Sequence, residues 1–352
     1  MLMHFPALVL SLATGAEAPP LNAVETRPVA LSVDLAFKPY KDWTILLPDE
    51  QFAKVGEGIP FPHAGGERFA VKLEGTVLWV DRDGDGECEA KVEPMKPGET
   101  GLMVFRAKNE AGADQSYAIR LTSDGTWAYS ASGAMVGELA GQRVQLIDQN
   151  NNGRFDDYGA DAMIIGRGKS ACFLSRVVNV EGELYSVDIS PDGTRLDAKP
   201  FDGESGSIDL ASELETKARM RSVVLRSADG KLSFEVSQAK GAVKVPVGKY
   251  TVHSGQIALG KGHADLRTGR MQPITVVAGE SVSASWGGPV KAEFRYGRQG
   301  EEITIAPQDV MYYGRLGEEY SNFMPLGTSP SFVVKDKQSG EELVNVKFPG
   351  NC

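Results

Sequence analysis

Short runs in which every second residue is apolar, each closed by glycine, asparagine or aspartate, recur through most of this chain. "RFAVKLEGTVLWV", "GLMVFRA", "SYAIRLTSDGTWAYS", "QRVQLID" and "ELYSVDISPDGTRLDAK" all have this form. A period of two places the apolar side chains on one face of a strand, whereas a helix needs them at three- and four-residue intervals. The punctuating residues are those that tight turns require. Many short strands at even spacing imply a sandwich or a barrel-like sheet. One segment departs from this pattern: "SIDLASELETKARM" carries a helical spacing, with Ser207 or Asp209 as its cap. The fold class expected is therefore all-β and multi-module, a β-sandwich or barrel-like N-terminal domain followed by sandwich modules.

A length of 352 residues suits two or three domains. The opening "MLMHFPALVLSLATGAEAPP" has a short apolar centre followed by small residues, with Ala16 or Ala18 as the cleavage point, and reads as a secretory signal over 1–18. The alternative is a buried first strand. No later run reaches the roughly 18 apolar residues a bilayer span needs, so no membrane span is expected, and the compartment would be secreted, periplasmic or cell-surface. Lys plus Arg total 37 against 47 Asp plus Glu, a net charge of -10. That balance argues against nucleic acid or an anionic membrane as partner, since both call for a basic face. It suits divalent cations.

The most concentrated charge comes directly after the apolar run "GTVLWV", in "DRDGDGECE". Calcium takes six to eight oxygens, and a loop can supply them from positions 1, 3, 5, 7 and 9 with glycine at position 6 for the turn. Here that spacing selects Asp81, Asp83, Asp85, the carbonyl of Glu87, and Glu89, with Gly86 at position 6. "LIDQNNNGRFDDYGAD" repeats it with Asp148, Asn150, Asn152, the carbonyl of Arg154, and Asp156, around Gly153. A pair of such loops in one register points to two calcium sites. The competing reading is a pair of tight hairpin turns, which favour the same residues for their left-handed φ and side-chain-to-backbone bonds.

Both nonapeptides resemble EF-hand-like calcium loops, including the short dockerin form. They depart from a true EF-hand at position 12, where the bidentate Glu is replaced by Val92 and by Gly159, and their flanks alternate like strands. Both are accordingly read as hairpin-borne sites, with Glu93, Asp157 or Asp161 as sources of a further oxygen. By carboxylate count the first loop would bind the ion more tightly.

Further along, "PVGKY" leads into the alternating "YTVHSG". This stretch resembles the carboxypeptidase regulatory-like (transthyretin-like) β-sandwich modules, which are accessory or adhesive units. The "KDKQSGEEL" turn between alternating runs of the tail looks like an immunoglobulin-like hairpin. The expected divisions are thus an N-terminal β-domain at 19–205 with both calcium loops, a carboxypeptidase regulatory-like sandwich at 206–288, and an immunoglobulin-like module at 289–352. The whole resembles multi-module exported bacterial proteins.

Three cysteines, Cys88, Cys172 and Cys352, are too few for a disulfide scaffold or a zinc cluster. Cys88 is either a small buried hydrophobe or the partner of Cys172 in a disulfide. "IGRGKSAC" holds only a fragment of a phosphate loop, and no His-Glu-x-x-His or Gly-x-Ser-x-Gly motif occurs. His253, His263 and Asp265 are a candidate acid–base or metal group outside the loops, and a pair of carboxylates, all that a glycosidase needs, is open among the 47 acidic residues.

Two functions remain open at this level. One is a calcium-binding β-protein with a binding, adhesion or cell-surface structural role, directed to a surface, carbohydrate or protein ligand. The other is a calcium-stabilised hydrolase acting on polysaccharide, which would line a cleft with Trp43, Trp79 or Trp127, whereas burial of all three favours the first.

Overall fold

The computed structural model describes residues 29–300, 302–323 and 331–347. The expected signal segment and Cys352 lie outside the described residues. The fold is all-β with many separate sheets. Its single helical turn among the described residues is a 3-10 element at Pro307–Asp309.

Alternation is translated directly into burial. Gly101–Lys108 buries Met103, Phe105 and Ala107 while the intervening residues face outward. This strand pairs antiparallel with Asp114–Thr122, which continues to Ala128–Ala131 and Ala53–Lys54. A second sheet orders Cys172–Phe173, Ala162–Ile165, Gln142–Ile147, Gly133–Leu139 and Ala36–Pro39. A third joins Leu31–Asp34 to Arg195–Pro200, Glu183–Ile189 and Val177–Val180. The smaller sheets Ile59–His63/Gly66–Phe69 and Val71–Glu74/Val77–Val80/Ala90–Val92 complete the unit. One apolar core running from Leu35 to Ala198 joins them. At its centre Phe69 stacks on Phe105 at 4.4 Å, on His63 at 4.5 Å and on Phe61 at 6.0 Å, and Phe61 stacks on Tyr117 at 4.7 Å.

The segment expected as a helix is strand and turn. Ser205–Asp209 pairs with Val243–Pro246 and Ser281–Ser283, Leu214–Glu215 pairs with Trp286–Gly287, and Arg219 opens a long strand to Ser227. Burial has a period of two there, with Gly206 and Ile208 inward, so sheet pairing overrides a weak local helical spacing. Asp209 does accept a backbone bond, from the Ser212 amide at 3.0 Å, but it closes a turn.

The second core gathers Ile208, Val223, Leu225, Tyr250, Leu266 and Trp286, together with Tyr320. The turn "PVGKY" positions Tyr250, which is fully buried and donates its hydroxyl to the Pro246 carbonyl at 2.8 Å. From it Gly248–Leu259 runs between Arg219–Ser227 and Gly262–Arg267. Gly262–Arg267 then pairs with Glu319–Ser321, and that strand with Val310–Tyr313, which in turn pairs with Lys291–Phe294. The division expected between 288 and 289 therefore falls inside one continuous sheet. The hairpin Ser331–Lys335/Glu342–Lys347 forms a two-stranded sheet of its own.

Phe69→Ala should remove about 3–5 kcal/mol of stability, because a fully buried ring with aromatic neighbours on several sides cannot be replaced by local collapse. Urea unfolding of the variant against the wild type measures it; a loss below about 1 kcal/mol would mean the stack is not the centre of the core.

Candidate metal centre

Each acidic loop connects two antiparallel strands. Val80 is paired with Ala90, so residues 81–89 are the loop of one hairpin; Ile147 is paired with Ala162, so residues 148–161 are the loop of the other. The strands enter both turns with apolar residues fixed in the core, Leu78 and Val80 in one and Leu146 and Ile147 in the other. Beyond these anchors the chain turns back on itself through polar residues.

The two loops wind alike. Asp81 is buried, and its carboxylate accepts the amides of Asp83 at 3.1 Å, Gly84 at 2.7 Å and Gly86 at 3.0 Å. Asp148 is buried too, and accepts the amides of Asn152 at 3.1 Å and Gly153 at 2.7 Å. In both, the amide five residues on from the first Asp turns back to it. The side chains at positions 3 and 5 accept from the amides two residues ahead: Asp83 from Asp85 and Asp85 from Glu87 in one loop, Asn150 from Asn152 and Asn152 from Arg154 in the other. This winding needs left-handed backbone at positions 4 and 6. Gly84 (φ 80°) and Gly86 (φ 91°) supply it in the first loop, Asn151 (φ 61°) and Gly153 (φ 83°) in the second.

In the first loop the ligand oxygens of Asp81, Asp83 and Glu89 lie within 4.8 Å of one another. Asp85 and Glu87 are exposed and outside that group. Glu89 also takes a 3.2 Å contact from Arg82. The loop is seated between two neighbours: the Arg82 carbonyl accepts the amide of Arg106 in the strand Gly101–Lys108 at 2.9 Å, and a Cβ at Gly84 would come within 2.7 Å of the ring of His63, which ends the strand Ile59–His63.

The second loop is set deeper. Tyr117, from the aromatic stack, donates its hydroxyl to Asp148 at 2.7 Å. Asn151 is buried and holds the Ala131 amide at 2.9 Å and the Gln51 carbonyl at 3.1 Å, while Phe155 is buried in the core. Asn150 and Asn152 both turn to Asp157 Oδ2, at 3.0 and 2.6 Å. Asp156, selected by the count of nine, does not join them: both its oxygens face the Arg154 guanidinium, at 3.0 and 2.9 Å. Asp161 is buried, and its Oδ2 accepts the Asp157 amide at 3.0 Å. Burial raises the pKa of Asp148 to about 6 against the pull of Tyr117 and the loop amides; burial, and after it the Asp148 charge, raises Asp161 to about 9.

The remaining sequence candidates are dispersed. Cys88 and Cys172 are free thiols, one half-buried and one buried, so the disulfide is not formed; Cys88 lies in the first acidic loop, whereas Cys172 sits on a strand of a different sheet. His253 packs edge-on against Phe173 at 5.1 Å, whereas Asp265 accepts from Gln256 at 3.0 Å and from Asn322 at 2.5 Å. His263 is exposed. Trp127 is core and donates to the Thr76 carbonyl at 3.0 Å; Trp43 lies half-buried under the Arg120 guanidinium at 4.3 Å; Trp79 is half-buried on its hairpin. Comparison with protein-family models, curated proteins and solved structures gives no match, so any functional reading rests on these sites.

A carboxylate whose pKa is higher in the folded than in the unfolded chain stabilises the fold below the unfolded value and loses that contribution as pH rises through the folded one. Without metal, stability should therefore fall between the ordinary aspartate value of 3.8 and about 9. Urea midpoints in EDTA should be lower at about pH 8 than at about pH 5, and calcium should flatten the difference. Tyr117→Phe, which strips a donor from buried Asp148, should cost about 1.5–3 kcal/mol at neutral pH; an unchanged midpoint would show that this bond carries no stability.

Proposed function

We propose that this protein is an exported calcium-binding β-protein whose metal sites brace hairpins, and that its role is binding, adhesion or cell-surface structure. The observation that carries the reading is the convergence of Asp81, Asp83 and Glu89 at one hairpin turn. Three carboxylates held this close repel one another unless a cation or protons intervene, and a hard, oxygen-only set suits calcium or magnesium. A set that includes two exposed side chains on a turn fits calcium's tolerant geometry better than magnesium's strict octahedron.

An exported protein meets calcium at millimolar levels, so affinities of about 10⁻⁴ to 10⁻³ M would keep such loops filled. On that scale the ions act as structural clips rather than sensors. A clip that fixes hairpins on a sheet-built scaffold is suited to presenting a surface, to a carbohydrate or a protein. Placement of Trp127 in the core removes one of the three rings that a polysaccharide cleft would have used.

Calcium should raise the thermal midpoint of the EDTA-treated protein in a saturable way, and magnesium much less. A site occupied at about 100 times its Kd adds about 2.7 kcal/mol. Asp81→Asn combined with Asp83→Asn should reduce that gain. A midpoint that is indifferent to calcium up to about 10 mM, well above the affinities of extracellular modules, would sink the reading.

A further inference from the structure

Resting on the calcium reading above, the geometry points to Asp161 and Asp157, rather than Asp156, as the acids that close the second loop into a calcium site, with Asp148, Asn150, Asn152 and the Arg154 carbonyl as the other oxygens. Two independent observations carry this assignment.

The first is register. In the shorter hairpin, pairing of Val80 with Ala90 makes Asp81 and Glu89 the two residues that flank the loop, and Glu89 is the acid that joins Asp81 in the ligand group. In the longer hairpin, pairing of Ile147 with Ala162 makes Asp148 and Asp161 the flanking residues. Asp161 is thus the counterpart of Glu89. Counting nine from the first Asp finds the closing acid only when the loop is short; the strand pairing finds it in both.

The second is an unanswered oxygen. Asp161 is only 1% exposed, its Oδ2 is used by the Asp157 amide, and its Oδ1 is buried with no hydrogen-bond partner. A buried carboxylate oxygen without a donor is strongly unfavourable and calls for a cation or an ion-like partner. Asp148 and Asp157 are neighbours of like charge, and the Arg154 guanidinium, which acts on Asp161 through space, is hydrogen-bonded to both oxygens of Asp156 instead. Asp157 in turn is where the two asparagine carboxamides converge. An amide turned over presents oxygen in place of nitrogen at almost no steric cost; the bonds that Asn150 and Asn152 accept from the Asn152 and Arg154 amides are then given up, and coordination of the ion by the same three side chains must offset them. The set then totals six oxygens, the lower end of calcium's range, with room for water.

Calorimetric titration of calcium into the EDTA-treated full chain tests this. The wild type should bind two ions. Asp161→Asn should lose one of them or weaken it at least as much as loss of an outer-shell partner does, about 10–100-fold, while keeping the other. Asp83→Asn should lose the complementary ion, and the double variant both. Should Asp161→Asn fail to fold, half-buried Asp157→Asn replaces it and must weaken the same ion. Two ions bound undiminished by either variant would overturn the assignment and leave the first loop's reading intact. No ion bound by the wild type would remove both.

Discussion

A single carboxylate, that of Asp148, links the interior of the N-terminal unit to the longer of its two acidic loops. One of its oxygens takes the Tyr117 hydroxyl, and the pair together take the amides of Asn152 and Gly153. Tyr117 stacks on Phe61, which stacks on Phe69. The winding of the loop is thus registered against the aromatic core. Removing any of these donors would strip a hydrogen bond from a buried charge, and that cost keeps the arrangement unique. The shorter loop shares the bond from the amide five residues on to its first Asp, but it rests on a backbone bond to Arg106 and on close contact with His63, and keeps most of its acids in solvent.

The deeper loop also lies at the seam between the two cores. The Gly159 carbonyl accepts Arg226 at 2.9 Å, and that guanidinium lies 4.1 Å from the Phe173 ring. Ser170 bonds Ser222 at 2.6 Å, and the Ser233 hydroxyl accepts the Phe173 amide at 3.2 Å. A Cβ at Gly159 would come within 2.9 Å of the Gly230 carbonyl, so the turn that ends the loop is in close backbone contact with the second unit. Order in the loop is consequently order at the seam.

Charge counted along the chain and charge placed in space rank the loops differently. By the spacing of nine residues the first loop holds four acids among its side-chain ligands and the second two. The strand pairing sets Asp161 opposite Asp148 at the mouth of the second loop, and both are buried where screening by water is weak. Electrostatic need for a cation depends on that burial as much as on the number of acids.

Much of this was written locally. Alternation in "GLMVFRA" fixed which residues of Gly101–Lys108 face the core, and Asp, Asn and Gly at positions 1 to 6 dictated two loops of the same winding, because a side-chain oxygen and a left-handed φ act within a few residues. Other features depended on partners far along the chain. Ser205–Asp209 is a strand because Val243–Pro246 and Ser281–Ser283 lie beside it; the sheet crosses residue 288 because Glu319–Ser321 pairs with Gly262–Arg267; Cys88 and Cys172 stay apart because the hairpins that carry them belong to different sheets. Asp161 belongs with them. Its sequence neighbours mark it as an acid before an apolar run, but only the pairing of Ile147 with Ala162 sets it opposite Asp148. Turn chemistry is a short-range property and could be read directly, whereas burial and cross-strand opposition are long-range properties that exist only once the sheets have closed.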